Sequence, residues 1–181
     1  MKAKIRALAV LLILCISLAL TYGLLPSAKP PAKPSDKAAA ANAEQTITIT
    51  DIPASEIQAL AINNNHGTYG IINRPEGITV VPDTGANFSV RKMRALIYTA
   101  SHLTGIRRLE NYTIPSDDEI KNSLARFSLI LSDGRENNFA ILKKSPATND
   151  YLLFFEEAKS VFVVSRSNAE WFLRGIGDFL E

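Results

Sequence analysis

An uncharged apolar run near the N-terminus constrains this chain more than any other feature of its sequence. Lys2, Lys4 and Arg6 precede the run, and residues 7–25 contain no Asp, Glu, Lys, Arg or His. As a helix this run would be about 28 Å long, close to the ~30 Å hydrocarbon core of a bilayer. We therefore expect a transmembrane helix that contacts lipid through the following anchor residues: Ala7, Leu11, Leu14, Leu18 and Leu25.

Two other interpretations of this run stay open. A cleaved signal peptide would use residues 7–20 as its hydrophobic region, with cleavage near Gly23. The run continues through Leu24 and Leu25, which favours an uncleaved anchor. A lipid-modified Cys15 is the third possibility, but Cys15 follows Leu14 where bacterial lipoprotein signals place a small residue.

Residues 26–44 change in composition to Pro, Ala, Lys and Ser and predict an extended linker. Such a segment cannot bury a core, and in polyproline II geometry it could hold a domain up to about 59 Å from the bilayer. The wholly basic N-terminal head favours a cytoplasmic N-terminus. We expect a single-pass protein of the cytoplasmic membrane whose domain, residues 45–181, lies outside the cytoplasm.

Charge argues against nucleic acid as a partner. Residues 1–44 hold 6 Lys or Arg against 2 Asp or Glu, whereas residues 45–181 hold 14 against 16. Neutralisation of phosphates supplies most non-specific affinity for nucleic acid, so a net-negative domain without a basic run is a poor candidate.

Strand patterns dominate the domain. The alternating segment 46–50 predicts a half-buried strand, and residues 57–62, 68–73 and 78–81 predict a first antiparallel meander. A second meander is predicted from four further segments, with Asp133 and Gly134 forming a two-residue hairpin turn between the first two: 127–132, the return strand with Phe139 and Ile141, 151–155 and 161–164. A short strand at 106–109 would lie between the meanders.

Three helices are predicted beside these strands. The longest is capped by Ser89 and ends at Gly105, and apolar residues fall on it at three-and-four spacing: Val90, Met93, Ile97 and Ala100. A capping box formed by residues 116–119 opens a short helix to Leu124. A terminal helix begins at Asn168 and carries four apolar residues: Trp171, Phe172, Ile176 and Phe179. The expected fold class is α+β: antiparallel β-meanders packed with one long and two shorter helices, in two sheets, preceded by the transmembrane helix.

Few residues suggest chemistry. Ser89 and Lys92 match the Ser-x-x-Lys motif of penicillin-recognising enzymes, but the motif's companions are missing and Ser89 has a role as a helix cap. His66 and His102 have no sequence neighbours at ligand spacing, and acidic residues 117–119 suit a first helical turn. We expect no catalytic residue, no cofactor and no metal.

The order of elements resembles the DUF4340 family. The resemblance rests on an N-terminal anchor, the strand at 57–62 with its Gly-turn hairpin, the loop 83–89 before a helix, and the segments 129–135 and 161–164. It covers about residues 57–173. It implies a membrane-attached extracytoplasmic protein, with some family members encoded beside ABC-type transport or gliding components, and it implies no catalytic residues.

These features predict a membrane-tethered extracytoplasmic binding or assembly module of a membrane complex, with no catalysis of its own, and the resemblance suggests an ABC transporter as that complex. Its partners would be the lipid bilayer, through residues 7–25, and a protein of that complex. The alternative is an anchored or secreted hydrolase with an unrecognised site.

Overall fold

Most of the chain that the structure describes is antiparallel sheet. The structure is a computed structural model and describes residues 46–145 and 148–181. The strands are β1 (Ile47–Thr48), β2 (Ile57–Asn64), β3 (Gly67–Arg74), β4 (Gly77–Val81), β5 (Thr104–Gly105), β6 (Arg107–Arg108), β7 (Ala125–Leu131), β8 (Glu136–Lys144), β9 (Tyr151–Phe155) and β10 (Ser160–Val164). Eight of them form one sheet in the order β4-β3-β2-β7-β8-β9-β10-β6, while β1 pairs with β5.

Three α-helices accompany the sheet in the described residues: α1 (Val90–Ser101), α2 (Asp117–Lys121) and α3 (Arg166–Leu173). Short 3-10 helices lie at Ala54–Glu56 and Ile176–Phe179. The α+β class, with one long and two shorter helices, is therefore confirmed. The predicted transmembrane helix and linker, residues 7–25 and 26–44, lie outside the described residues.

The two predicted meanders belong to one continuous sheet, so the expectation of two separate meander sheets was wrong. β2 pairs with β3 on one side and with β7 on the other, and Leu60 lies opposite both Ile71 and Leu129. Alternation along β2 gives it an apolar side and a more polar side but leaves both of its edges free to pair. The joined sheet has β4 at one edge and β6 at the other.

One face of the sheet, here called the first face, is covered by α1 and α3. The buried residues of α1 recur at helical spacing and include Met93, Leu96, Ile97 and Ala100. Val90, which was expected on the same stripe, is 47% exposed because it lies at the first turn, beyond the packed part of the helix. The main core fills the space between these helices and the sheet.

Stacked phenylalanine rings cross this core from β9 to α3. Phe155 stacks on Phe139, Phe139 on Phe127, and Phe127 on Phe172, with ring centroids 4.5, 4.8 and 3.9 Å apart. The three strand residues are neighbours in register, so alternation alone places them on one face. Phe172 then fixes α3 over the middle of the sheet.

The β7–β8 hairpin has a three-residue turn and not the predicted two-residue turn. Gly134 has φ of +85° and donates its N–H to the carbonyl of Leu131 over 3.0 Å, while Leu131 pairs with Arg135. The sequence Asp-Gly is also suited to this turn, because glycine readily takes the left-handed position. The backbone N–H and the side chain of Arg135 hold the pKa of Asp133 below its ordinary value.

The long helix ends earlier than predicted, at Ser101. Thr50 Oγ1 donates to the carbonyl of Ala100 and accepts from the N–H of Leu103, both over 2.8 Å, which satisfies the end of the helix. Thr50 therefore leaves the predicted strand, whose paired part shrinks to β1. Gly105 lies in β5, where an added Cβ would be 3.2 Å from both Ile49 and the carbonyl of Val163.

Ser89 occupies the predicted cap position of α1 without capping through its side chain. Its backbone N–H donates instead to the carbonyl of Phe179 over 2.8 Å. The capping box at the start of α2 is confirmed, since Ser116 and Glu119 exchange both expected hydrogen bonds. That helix ends at Lys121 and not at Leu124, because Leu124 instead donates its backbone N–H to Ile141 across to β8.

The last helix begins at Arg166, two residues before the predicted start. Ser165 caps it, and Asn168 Nδ2 donates to the carbonyl of Thr104, 3.2 Å away. Of the apolar residues predicted on this helix, Ile176 and Phe179 lie on the following 3-10 helix. Between the two elements, the carbonyl of Arg174 accepts the Tyr69 hydroxyl over 3.0 Å, and burial raises the pKa of that hydroxyl above its ordinary value.

The opposite face, here called the second face, is covered only in part. Ala140, Phe154 and Val161 form a small second core on β8, β9 and β10. Side chains from the segment between β6 and β7 pack on it, including Leu109, Tyr112 and Ile120. Among the described elements, no helix covers this face over β3 and β4, which leaves much of it accessible.

Candidate functional site

A groove on the second face lies beside α2. Its volume is about 540 Å³. We call it the α2 groove. Strands β2, β3, β7, β8 and β9 contribute to its lining, together with α2: Ala61, Asn63, Thr68, Asp117, Ile120, Lys121, Arg126, Ser128, Asn138, Ala140, Phe154 and Glu156.

Small side chains at neighbouring register positions make the floor of the α2 groove. Ala61 lies opposite Ser128, and Ser128 lies opposite Asn138. Because a sheet carries its side chains alternately up and down, small residues in adjacent strands leave a shallow depression between larger ones. Ile120 packs beside Ala140 and Phe154, so α2 stands next to that depression as a wall.

Hydrogen bonds fix the polar part of the floor. Ser128 Oγ donates to Asn138 Oδ1 over 2.5 Å. The backbone N–H of Asn138 donates to both carboxylate oxygens of Glu157, at 2.8 and 3.0 Å, and Asn138 Nδ2 donates to one of them at 3.2 Å. Bonds to a charged acceptor are stronger than neutral ones, so the amide is held in one orientation before any ligand arrives.

Charges of both signs border the α2 groove. Lys121 and Arg126 supply positive charge, and Asp117 and Glu156 supply negative charge; all four are exposed. None of the four forms an ion pair with another residue in ranges 46–145 and 148–181. They are therefore available to a ligand that carries complementary charges.

A second cluster, around His102, resembles a catalytic triad only in composition. His102 Nδ1 is 2.6 Å from Ser101 Oγ, and its Nε2 is 3.8 Å from Asp51 Oδ1. Ser101 is completely buried and its hydroxyl donates to the carbonyl of Tyr98. A nucleophile must reach its substrate, and Ser101 cannot do so because it is buried. Asp51 is far from His102 along the chain, so their proximity could not be predicted from the sequence.

The remaining candidate residues have structural roles. Lys92 Nζ donates to the carbonyls of Asp178 and Leu180, at 3.2 and 2.7 Å, and so holds the C-terminal segment against α1. His66 lies in a turn, where its backbone N–H donates to Asn64 Oδ1 over 2.8 Å. Within the described residues, no three His, Cys, Asp or Glu side chains come together in a way that could hold a metal ion.

The predicted anchor residues are not among those that the structure describes. Ala7, Leu11, Leu14, Leu18 and Leu25 all precede residue 46. Across the described ranges, none of the helices has the length and apolar character needed to cross a bilayer. The membrane anchor therefore stays a prediction from the sequence.

Comparison of the chain with protein-family models, with curated proteins and with solved structures found no match. The resemblance to the DUF4340 family stays a prediction.

The α2 groove was not predicted, although one signal for it exists in the sequence. Along β7 the buried Phe127 and Leu129 alternate with Arg126 and Ser128, which indicates a face of the sheet that is not fully covered.

Proposed function

We propose that this chain is a membrane-tethered binding or assembly module that presents the α2 groove to a protein partner outside the cytoplasm. The observation that carries the proposal is the α2 groove itself, whose floor is fixed by hydrogen bonds and whose border charges have no ionic partner in the described part of the chain. Preorganised polar groups bind with less loss of conformational entropy than mobile ones.

The chemistry of the α2 groove suits a polypeptide segment. Arg126 can pair with a carboxylate, and Asp117 and Glu156 can pair with a basic side chain. Asn63 and Thr68 offer uncharged donors and acceptors for peptide groups. The small side chain of Ala61 leaves room for an apolar residue of the partner.

The predicted tether explains why a modest groove suffices. With residues 7–25 in the bilayer and residues 26–44 as a linker, the domain would sample only a thin layer above the membrane. Tethering of this kind gives effective concentrations in the millimolar range for a partner in the same membrane. Weak contacts in the α2 groove would then be well occupied.

The two serine-containing clusters support a non-catalytic role. Ser101 is buried and bonded to a helix carbonyl, and Lys92 is bonded to the C-terminal segment instead of activating Ser89. The hydrolase alternative can be tested with Ser89→Ala. Loss of a hydrolytic activity in this variant, with folding unchanged, would support that alternative.

Tethering and topology are tested together by labelling a single cysteine in the full-length chain. Cys15 is the only cysteine, so a Cys15→Ser background permits a new cysteine at exposed Ser167. We expect a membrane-impermeant maleimide to label this position in intact cells and the protein to resist alkaline extraction from membranes. Labelling only after cell lysis, or complete release by alkali, would contradict the tether or its orientation.

The role of the α2 groove is tested by charge reversal. We expect Arg126→Glu to reduce the amount of partner protein recovered with the full-length chain from solubilised native membranes by about tenfold, the loss of one charge-assisted pair. Arg91→Glu on exposed α1 is the matched control and should leave recovery unchanged. Equal recovery with both variants would contradict the proposed site.

A further inference from the structure

The two edges of the eight-stranded sheet differ in how they are protected. β6 is two residues long, and both residues, Arg107 and Arg108, are exposed arginines. Short, charged edges of this kind prevent association with other strands. β4 is five residues long, Gly77–Val81, contains no charge and consists mainly of β-branched residues. It lacks both of the features that protect β6.

The outer side of β4 has no strand paired to it among the described residues. β4 pairs with β3 alone, from Gly70 opposite Val81 to Arg74 opposite Gly77. In an antiparallel ladder the N–H and C=O groups of alternate residues point away from the paired neighbour. These groups form a row of donors and acceptors that an added strand can satisfy.

An open groove follows this same edge. Its volume is about 250 Å³, and residues of β4, of the loop after it and of α1 line it: Ile78, Thr79, Val80, Asp83, Ala86, Phe88, Val90 and Met93. Val90 in this lining is 47% exposed. An added strand would therefore gain apolar contacts as well as backbone hydrogen bonds.

We propose that the occupant of this edge is β4 of a second copy of the chain, paired antiparallel about Thr79. In that register Thr79 meets Thr79 of the other copy, Ile78 meets Val80, and Gly77 meets the exposed Val81. β-Branched pairs and Thr–Thr pairs are favourable across strands. Every position thus meets a residue of suitable size, which a strand with bulky or charged residues would not provide.

Charge also suits self-pairing. β4 itself contains no charged residue, so no like charges face each other when two copies of the strand pair.

The interface is small, and membrane tethering would make it effective. One pair of five-residue strands buries less than the roughly 1,200 Å² of a standard interface, so pairing of free domains would be weak. In the membrane, the predicted anchor would concentrate the copies. The strength of pairing in vesicles therefore rests on the proposed tether. The choice of β4 as the pairing surface does not.

A cysteine at the two-fold position tests the proposal directly. Residues directly opposite in an antiparallel pair have Cα atoms about 4.5 to 5.5 Å apart, within the range of a disulfide. The variant is full-length Thr79→Cys in the Cys15→Ser background, reconstituted in phosphatidylcholine vesicles and mildly oxidised. Gln58→Cys is the matched control, because Gln58 is an exposed strand residue away from the sheet edge.

We expect the disulfide-linked dimer to be about tenfold more abundant for Thr79→Cys than for Gln58→Cys. Equal amounts would overturn the proposal. Flotation of the same vesicles tests the tether separately. A chain that does not float with the vesicles contradicts the tether. In that case, crosslinking of the same variants in concentrated detergent solution tests the pairing.

Opposite charges at the same position give an independent test. Thr79 is exposed, so Thr79→Lys and Thr79→Glu should fold normally. Two differently tagged copies of either variant should co-purify several-fold less than wild type, because like charges face each other. A mixture of the two variants should restore co-purification. Co-purification unchanged by Thr79→Lys would contradict pairing through β4.

Discussion

The two faces of the eight-stranded sheet differ in chemistry although the same strands build both. The first face is closed by α1 and α3 around a stacked row of aromatic rings that ends at Phe172. The second face is covered only toward β8, β9 and β10, by the segment that includes α2. The α2 groove lies at the margin of that cover.

Alternation along single strands produces this difference. In β7, Phe127, Leu129 and Leu131 are buried on the first face, whereas Arg126 is exposed and Ser128 half-buried on the second. Substitutions on the first face should therefore change the free energy of unfolding. Substitutions of the exposed residues around the α2 groove should change binding with much smaller effects on stability.

The largest effect is expected at Phe172. This residue is completely buried and stacks on Phe127, so Phe172→Ala removes a large side chain from the closed face. The free energy of unfolding should fall by about 3 to 5 kcal/mol, measured by denaturant titration of the full-length chain in detergent. Tyr98→Ala, at an aromatic residue that is 61% exposed, is the control and should cost well under about 1 kcal/mol. Similar losses in both variants would contradict the assignment of the first face as the core.

Phe154 tests the covered part of the second face. It is 4% exposed and supports Ala140 and Ile120 beneath α2. We expect Phe154→Ala to cost about 3 kcal/mol, at the lower end of the range for buried phenylalanine, because the second core is small. The variant should also loosen α2, which hydrogen exchange of residues 117–121 would detect. Unchanged exchange there would show that α2 does not depend on this core.

Ser128 tests the hydrogen-bonded floor of the α2 groove. Ser128→Ala removes the hydrogen-bond donor to Asn138 Oδ1. Asn138 is half-buried, and its nitrogen atoms keep their hydrogen bonds to Glu157. The expected loss of stability is about 1 kcal/mol, typical of a single hydrogen bond, with a larger relative loss of partner binding. If the folded variant recovers as much partner as wild type, the hydrogen-bonded floor does not contribute to the proposed binding site.

The smallest effect on stability is expected at Arg126. Its side chain is exposed and has no carboxylate within ion-pair distance in the described residues. Arg126→Ala should shift the free energy of unfolding by less than about 0.5 kcal/mol while it weakens partner binding. A loss of stability above about 2 kcal/mol would mean that Arg126 supports the fold, as the buried residues of the first face do.

Much of the fold could be predicted from local sequence patterns. Two-residue alternation located β2, β3, β7 and β8, and the capping box located α2. The joining of the meanders was missed because the pairing of β2 with β7 connects residues more than sixty positions apart, and no local pattern specifies it. The end of α1 was missed for the same reason, since Thr50 ends the helix from a distant segment.

The α2 groove could be predicted even less well. Its floor depends on Ala61, Ser128 and Asn138 lying side by side, which requires the order of the strands. Its wall depends on Ile120 packing over Phe154. Alternation does indicate which side chains share a face, but the depth of a groove follows from what covers that face.

Site-specific photocrosslinking of the full-length chain in its native membrane tests whether the α2 groove binds a protein partner. A photoreactive side chain would replace Thr68 in the α2 groove, or Arg91 on the opposite side of the sheet as the control. We expect one major protein adduct from Thr68, weakened by Arg126→Glu, and none from Arg91. Equal adducts from both positions, or a Thr68 adduct unaffected by Arg126→Glu, would contradict the α2 groove as the binding site.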